Sequence, residues 1–241
     1  MSLSVESFRD VLYGAAKRLG MVPEEDGLQR SEAVMMTEFF NSAMKLAWEF
    51  FPWPDAMVLS EEAVVSHPTV IAARYVPRSN NVRTLKVVTG MWKTDPRIDA
   101  LACAYPLNPR GDGFYIYDAA LASVWVDYRP EPPKYTSQEW SNLKAYVPAS
   151  LVWDVADTGH VYRALQAVPA GTLLTSVVHW QQVPVLACLA EAVKSGIVGA
   201  WHASEGQHGT ARVKEIYLLE ALEHEILQIQ NQGQQSHYYH C

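Results

Sequence analysis

The residues best suited to acid–base or metal chemistry in this 241-residue chain are His202, His208 and His224, each close in sequence to carboxylates. His224 sits between Glu223 and Glu225, but neighbouring side chains on a helix point about 100° apart and cannot converge on one ion. Glu220 and His224 are four residues apart and share a helix face, as a lone pair. No HExxH motif supplies a second histidine, so the reading is a solvated helix face. The run His237-Tyr238-Tyr239-His240-Cys241 has metal-binding residue types at a terminus that gives them no fixed geometry. For nucleophilic catalysis there is no GxSxG elbow and no cysteine in a recognisable setting with His and Asn. For nucleotides there is no GxxxxGK[ST] or GxGxxG, and Asn108-Pro109-Arg110-Gly111-Asp112-Gly113 reads as a hairpin loop. The expectation is a protein that is not an enzyme, with no catalytic residues, no metal and no cofactor.

The most pointed constellation is aromatic. Trp153, Tyr162 and Trp180 fall within one short stretch, and exposed rings of this kind stack on the faces of sugars. Turned inward, the same rings are the core of a small β unit. The reading is core for two of the three, with all three kept as candidates for carbohydrate or surface contact.

Composition narrows the classes further. A 49% hydrophobic share with 19% charged residues is enough to bury a core. The formal charge of −7 argues against non-specific binding to DNA or an anionic membrane surface, since such binding draws its free energy from Lys and Arg displacing counterions. Met1 to Asp10 shows no basic region followed by an apolar run, and no stretch reaches the roughly 20 apolar residues of a membrane helix, so a soluble, unexported protein is expected. Cys103, Cys188 and Cys241 are odd in number and far apart, which fits a reducing compartment rather than a disulfide framework.

The elements that must position these residues follow from periodicity. Val5, Phe8, Val11, Leu12, Ala15, Ala16 and Leu19 predict a helix over about 4–19, with Ser4 as N-cap and Gly20 closing it. Met35, Phe39, Ala43, Leu46, Ala47 and Phe50 predict a second, capped at Ser31 or Asp26 and ended by Phe51-Pro52-Trp53-Pro54. Trp48, Phe50, Phe51 and Trp53 read as a buried hinge.

From 56 to 129 short β runs dominate: Val58–Val65, Val70–Val76, Leu85–Val88, Phe114–Tyr117 and Val124–Tyr128. Turn chemistry separates them, and a small antiparallel sandwich or barrel is expected. In the last run Val124, Val126 and Tyr128 alternate with polar or surface positions, and Pro130, Pro132 and Pro133 then stop the ladder. Thr136-Ser137-Gln138-Glu139 predicts a short capped helix. The aromatic unit follows at 144–183, then a helix over about 185–202. Ser204-Glu205-Gly206-Gln207 reads as a capping box opening a last helix to about 230.

The expected class is therefore α+β. Residues 1–55 and 184–232 would form one discontinuous helical bundle, 56–143 an antiparallel β domain, 144–183 a small aromatic-rich β insertion, and 233–241 a flexible tail.

This order resembles the head-to-tail adaptor proteins of tailed bacteriophages, in particular the tail tubular protein A type of short-tailed phages. The likeness rests on Ala73-Arg74-Tyr75-Val76-Pro77, Val82-Arg83-Thr84-Leu85-Lys86-Val87, Gly113-Phe114-Tyr115-Ile116-Tyr117 and the Val124 to Pro133 exit, in that sequence. The insertion resembles the small chitin-binding carbohydrate-binding domains. That likeness lies in Val152-Trp153, Val161-Tyr162-Arg163-Ala164-Leu165, Ala170-Gly171-Thr172 and Trp180-Gln181-Gln182-Val183. Ala149-Ser150 stands where that pattern has Gly-Asp, and Leu174 where proline is common.

The first resemblance implies a structural virion protein at the neck, assembled in the host cytoplasm, that serves genome ejection. It implies a homo-oligomeric ring of about twelve copies closed by heterologous contacts. Its partners would be the portal protein, a tail nozzle or tail-tube protein and tail fibres, with double-stranded DNA passing without specific binding and no membrane. Asn231, Tyr238 and Tyr239 are the portal-contact candidates. The alternative is a carbohydrate-binding protein using the 144–183 unit.

Overall fold

The structure, a computed structural model, describes residues 4–21, 28–66, 74–79, 84–99, 101–118 and 120–238, with backbone alone for 232–238. It is α+β, with four α-helices and antiparallel sheets. Two compact units divide the chain: residues 1–51 with 132–241, and residues 52–131.

In chain order, the first unit opens with β1 (Val5–Glu6), α1 (Phe8–Arg18) and α2 (Arg30–Phe50). The second holds β2 (Val58–Ala63), β3 (Val65–Ser66), β4 (Arg74–Pro77), β5 (Val87–Trp92), β6 (Pro109–Arg110), β7 (Gly113–Ile116) and β8 (Ser123–Arg129). The first resumes with β9 (Leu151–Trp153), β10 (Val161–Ala164), β11 (Trp180–Val183), β12 (Val185–Leu186), α3 (Ala187–Ser204) and α4 (His208–Tyr238).

Helix α1 starts later than its apolar period implies. Val5 and Glu6 pair antiparallel with Leu186 and Val185, so their backbone groups are already taken. Ser7, not Ser4, is the cap, its hydroxyl accepting the Asp10 N–H at 3.0 Å. The far end is a Schellman turn: Gly20 has φ +75°, its N–H reaches the Lys17 carbonyl at 3.1 Å, and the Met21 N–H reaches Ala16 at 3.0 Å.

Helix α2 is capped at Gln29, whose N–H the Glu32 carboxylate accepts at 3.3 Å; Ser31 lies inside the helix, and Asp26 lies outside the described residues. The helix buries Ala43 and Ala47 of the expected stripe, but Met36, Phe40 and Met44 in place of its other members, and leaves Leu46 and Phe50 exposed. Apolar residues cover two faces of this helix, and periodicity alone cannot say which face turns inward. The expected hinge is likewise split: Trp48 and Trp53 are buried while Phe50 is exposed.

The four helices do not make an even bundle of the two chain ends. Helix α3 is the centre and contacts α1, α2 and α4, whereas α1 and α2 barely meet. More of the helix lies in the C-terminal half, in the 18 residues of α3 and 31 of α4 against 11 and 21 in α1 and α2.

Ser204 ends α3 instead of capping α4: its hydroxyl donates to the Trp201 carbonyl at 2.7 Å, and Gly206 at φ +75° makes the reversal. Helix α4 also passes the expected end near 230, continuing through Gly233 to Tyr238.

The expected helix at 136–139 is extended instead. Trp140 N–H donates to the Trp153 carbonyl at 2.9 Å and Trp153 N–H to that of Gln138 at 2.7 Å, so β9 claims the backbone.

In the second unit two antiparallel sheets, ordered β2-β8-β5 and β3-β4-β7-β6, share one core. Met91, Val124 and Val126 come from the first, and Val76, Phe114 and Ile116 from the second. Strand β8 is the centre of its sheet, with Val124, Val126 and Tyr128 inward as their alternation requires. It stops at Arg129, directly before the prolines. The part of the Val70–Val76 run before Arg74 lies outside the described residues, as do Asn80 to Arg83.

Candidate functional site

The aromatic insertion is a three-stranded sheet, β11-β10-β9, paired antiparallel throughout. Alternation along these short strands turns Trp153 and Trp180 inward, each 3% exposed. Trp153 donates its Nε1–H to the Gly159 carbonyl at 3.2 Å and meets the Phe8 ring edge-on at 5.1 Å. Trp180 packs edge-on to Tyr146 at 5.4 Å within the cluster of Tyr146, Val152, Ala164 and Val168.

Of the three predicted contact residues only Tyr162 is not fully buried; it packs in part against the same cluster. It borders a cleft of about 450 Å³ together with Trp140, Leu174, Asp157, Thr158 and Glu139. Its hydroxyl lies 3.3 Å from Thr158 Oγ1, and Thr158 in turn donates N–H and O–H to the Asp154 carboxylate at 3.1 and 2.8 Å. Among the described residues Trp140 Nε1 has no acceptor. Trp140 is the participant that sequence reasoning missed, and its only signal was a tryptophan beside a stretch read as a helix.

The insertion is clasped to α1. Arg9 makes the clasp: its N–H donates to the Gly159 carbonyl at 3.0 Å and its Nη1 to the Val155 carbonyl at 2.9 Å. Beside this clasp burial lowers the pKa of His160, opposed by the charges of Asp10 and Asp154.

The C-terminal histidines do not converge. His202 Nδ1 meets Gln207 at 2.8 Å, His224 Nε2 meets Gln228 at 2.7 Å, and His208 is exposed at the start of α4. Glu220 and His224 do line one cavity of about 430 Å³ with Arg18 and Glu191, which pair at 2.7 Å. Among the described residues no three of His, Cys, Asp and Glu are grouped so as to hold a metal ion. Nor is any described helix long and apolar enough to cross a membrane.

Asn231 is exposed on α4; Tyr238 ends that helix, and its side chain and all of Tyr239 lie outside the described residues.

A further concavity among the described residues was not legible in the sequence. A groove of about 640 Å³ runs between α2, α3 and α4, walled by Phe39, Leu46, Ala200 and Leu218 and deepened by Gly196 and Gly199. Its lining is mostly apolar, with the exposed Ser42, His208, Arg212 and Glu215 forming its polar rim.

No protein-family model matches the chain, and neither the curated proteins nor the solved structures yield a match, so its surfaces speak only through their own chemistry.

Proposed function

We propose that this chain is a structural subunit of a tailed-phage particle, a head-to-tail adaptor whose copies close into a ring between portal and tail. The observation that supports this best is the apolar surface left open on the helices. Val34, Leu46 and Phe50 on α2, and Val213, Ile216 and Leu227 on α4, are exposed. Surface of this kind suits contact with other copies of the chain.

In this reading the helices from both chain ends act as one scaffold, the insertion decorates it, and about twelve copies surround the channel. The charge of −7 lets DNA slide through without being held. Asn231, Tyr238 and Tyr239 meet the portal. Sedimentation velocity and negative-stain imaging, on the chain alone and mixed with the portal protein encoded with it, test the proposal. Rings in either condition are expected, and removal of 231–241 is expected to abolish co-sedimentation with portal. Absence of any assembly in both conditions overturns the reading.

A second reading, a carbohydrate-binding protein, is favoured by the cleft beside Tyr162 and Trp140. Here the ring that meets sugar is Tyr162, with Trp153 and Trp180 serving as core. Titration with chito-oligosaccharides should then quench tryptophan fluorescence in the wild type and not in Tyr162→Ala. An unquenched wild type removes this reading.

A further inference from the structure

We infer that the turn following β5 is a knob that seats in the α2–α3–α4 groove of a second copy of this chain, an inference that rests on the self-assembling reading above. Ile98 and Leu101 are 86% and 91% exposed. Yet the turn that carries them is pinned. The Asp95 carbonyl accepts N–H groups from Ile98 at 3.1 Å and Asp99 at 3.0 Å. The Asp99 carboxylate accepts from Thr94 Oγ1 at 2.8 Å and from the Leu101 N–H at 3.0 Å. Arg97 is held two-pronged by Asp95, at 2.7 and 3.0 Å, with its guanidinium 5.1 Å from the centre of the Trp125 ring. The backbone that carries two branched apolar side chains is thus held in place before any partner arrives, which lowers the ordering cost of using them as an interface anchor.

The groove offers the complement. Its volume of about 640 Å³ and its lining by Phe39, Leu46, Ala200 and Leu218 suit branched hydrocarbon. Charge matches as well. Lys93 and Asp99 on the knob, and Arg212 and Glu215 on the groove rim, make no ion pair among the described residues. Each side therefore presents one unmatched charge of each sign. Another exposed apolar tip, Val177 with Val178, has no carboxylate, lysine or arginine among its near neighbours in sequence and lacks this match.

Because knob and groove are different surfaces, the contact is heterologous. Every copy keeps one of each to offer, and the chain of contacts ends only when it closes into a ring. Knob and rim act as the centre of a larger contact, since stable interfaces bury roughly 800 Å² on each partner.

The test uses sedimentation velocity and cross-linking in whichever condition assembles, the chain alone or the chain with portal. Ile98→Asp with Leu101→Asp disables the knob, and Leu46→Glu with Ala203→Glu, Ala203 also lining the groove, disables the groove. Each pair is expected to weaken self-association about a hundredfold while leaving the melting temperature of the chain in place. Val177→Asp should change nothing. Mixing knob-disabled with groove-disabled copies should yield a dimer and nothing larger, because the two together hold one intact contact. Assembly that persists in both disabled forms overturns the knob and groove and leaves the ring reading standing. So does a mixture of folded variants that fails to dimerise, which would place each knob within its own copy or elsewhere. Absence of assembly in the wild type under both conditions sinks the ring reading together with this contact.

Discussion

Tyr135→Ala is expected to destabilise the first unit by about 3–5 kcal/mol, the range for removing a large ring from a packed core. Tyr135 is 4% exposed. Its ring stacks on Phe8, centroids 5.4 Å apart and planes 10° from parallel, and meets the edge of Phe40 at 4.6 Å. The hydroxyl donates to the Pro184 carbonyl at 2.7 Å. Asn41 holds the backbone on both sides, its Oδ1 accepting the Tyr135 N–H at 2.8 Å and its Nδ2 donating to the Tyr135 carbonyl at 3.0 Å. One residue therefore ties α1, α2 and the approach to β12 together.

Tyr135→Phe keeps the ring and orphans a carbonyl, so about 1–3 kcal/mol should be lost. Urea unfolding of the three proteins at neutral pH measures both.

Alkaline pH provides an independent check on the same side chain. Burial raises the phenol pKa far above its ordinary value of 10.0. Above that ordinary value the unfolded chain releases the proton and the folded chain keeps it, so stability is intact below about pH 10 and falls as pH rises further. The slope from this one group is about 1.4 kcal/mol per pH unit. Tyr135→Phe should flatten the alkaline limb by that amount. An identical alkaline slope in the two proteins would mean the phenol is not buried as described.

Tyr135 also marks the boundary of what the sequence could disclose. Strand β8 was legible because Val124, Val126 and Tyr128 alternate and three prolines follow, each a local fact of the chain. The residues just beyond read only as a stiff exit, since nothing local to Tyr135 reveals Phe8, Asn41 or Pro184, distant in sequence. Helix α2 was legible as a helix and misread as a face: Met35, Phe39 and Leu46 compete with Met36, Phe40 and Met44, and the packing of α3 decides. Ser4 and Ser204 were plausible caps by type, but β12 claims the backbone after Ser4, and α3 continues through Ser204. At the candidate sites the aromatic unit was legible by composition, while the direction of each ring was not. The groove was not legible, because its walls come from three helices whose approach to one another no local pattern discloses.

Gly196→Leu is expected to cost more than about 3 kcal/mol, because it forces α2 and α4 away from α3. Glycine inside a helix is ordinarily a weakness of about 1 kcal/mol relative to alanine. Here the space rules it in. A methyl at Gly196 would lie 2.6 Å from the Ala43 Cβ and 2.7 Å from the Leu218 Cδ1. The two neighbours differ in how far they can yield. Leu218 can rotate its terminal methyl away, whereas the Ala43 Cβ is fixed to the α2 backbone and moves only with the helix. Overpacking of about 1–3 kcal/mol thus outweighs the propensity gain even for Gly196→Ala, which should be neutral to about 2 kcal/mol destabilising. Ala43→Gly removes the rigid neighbour, so Gly196→Ala in that background should revert towards a net gain, with a coupling of about 1 kcal/mol in a double-mutant cycle. Urea unfolding of the single and double variants measures that coupling. Independent effects at the two positions, or a harmless Gly196→Leu, would show that α2 does not approach α3 at this glycine.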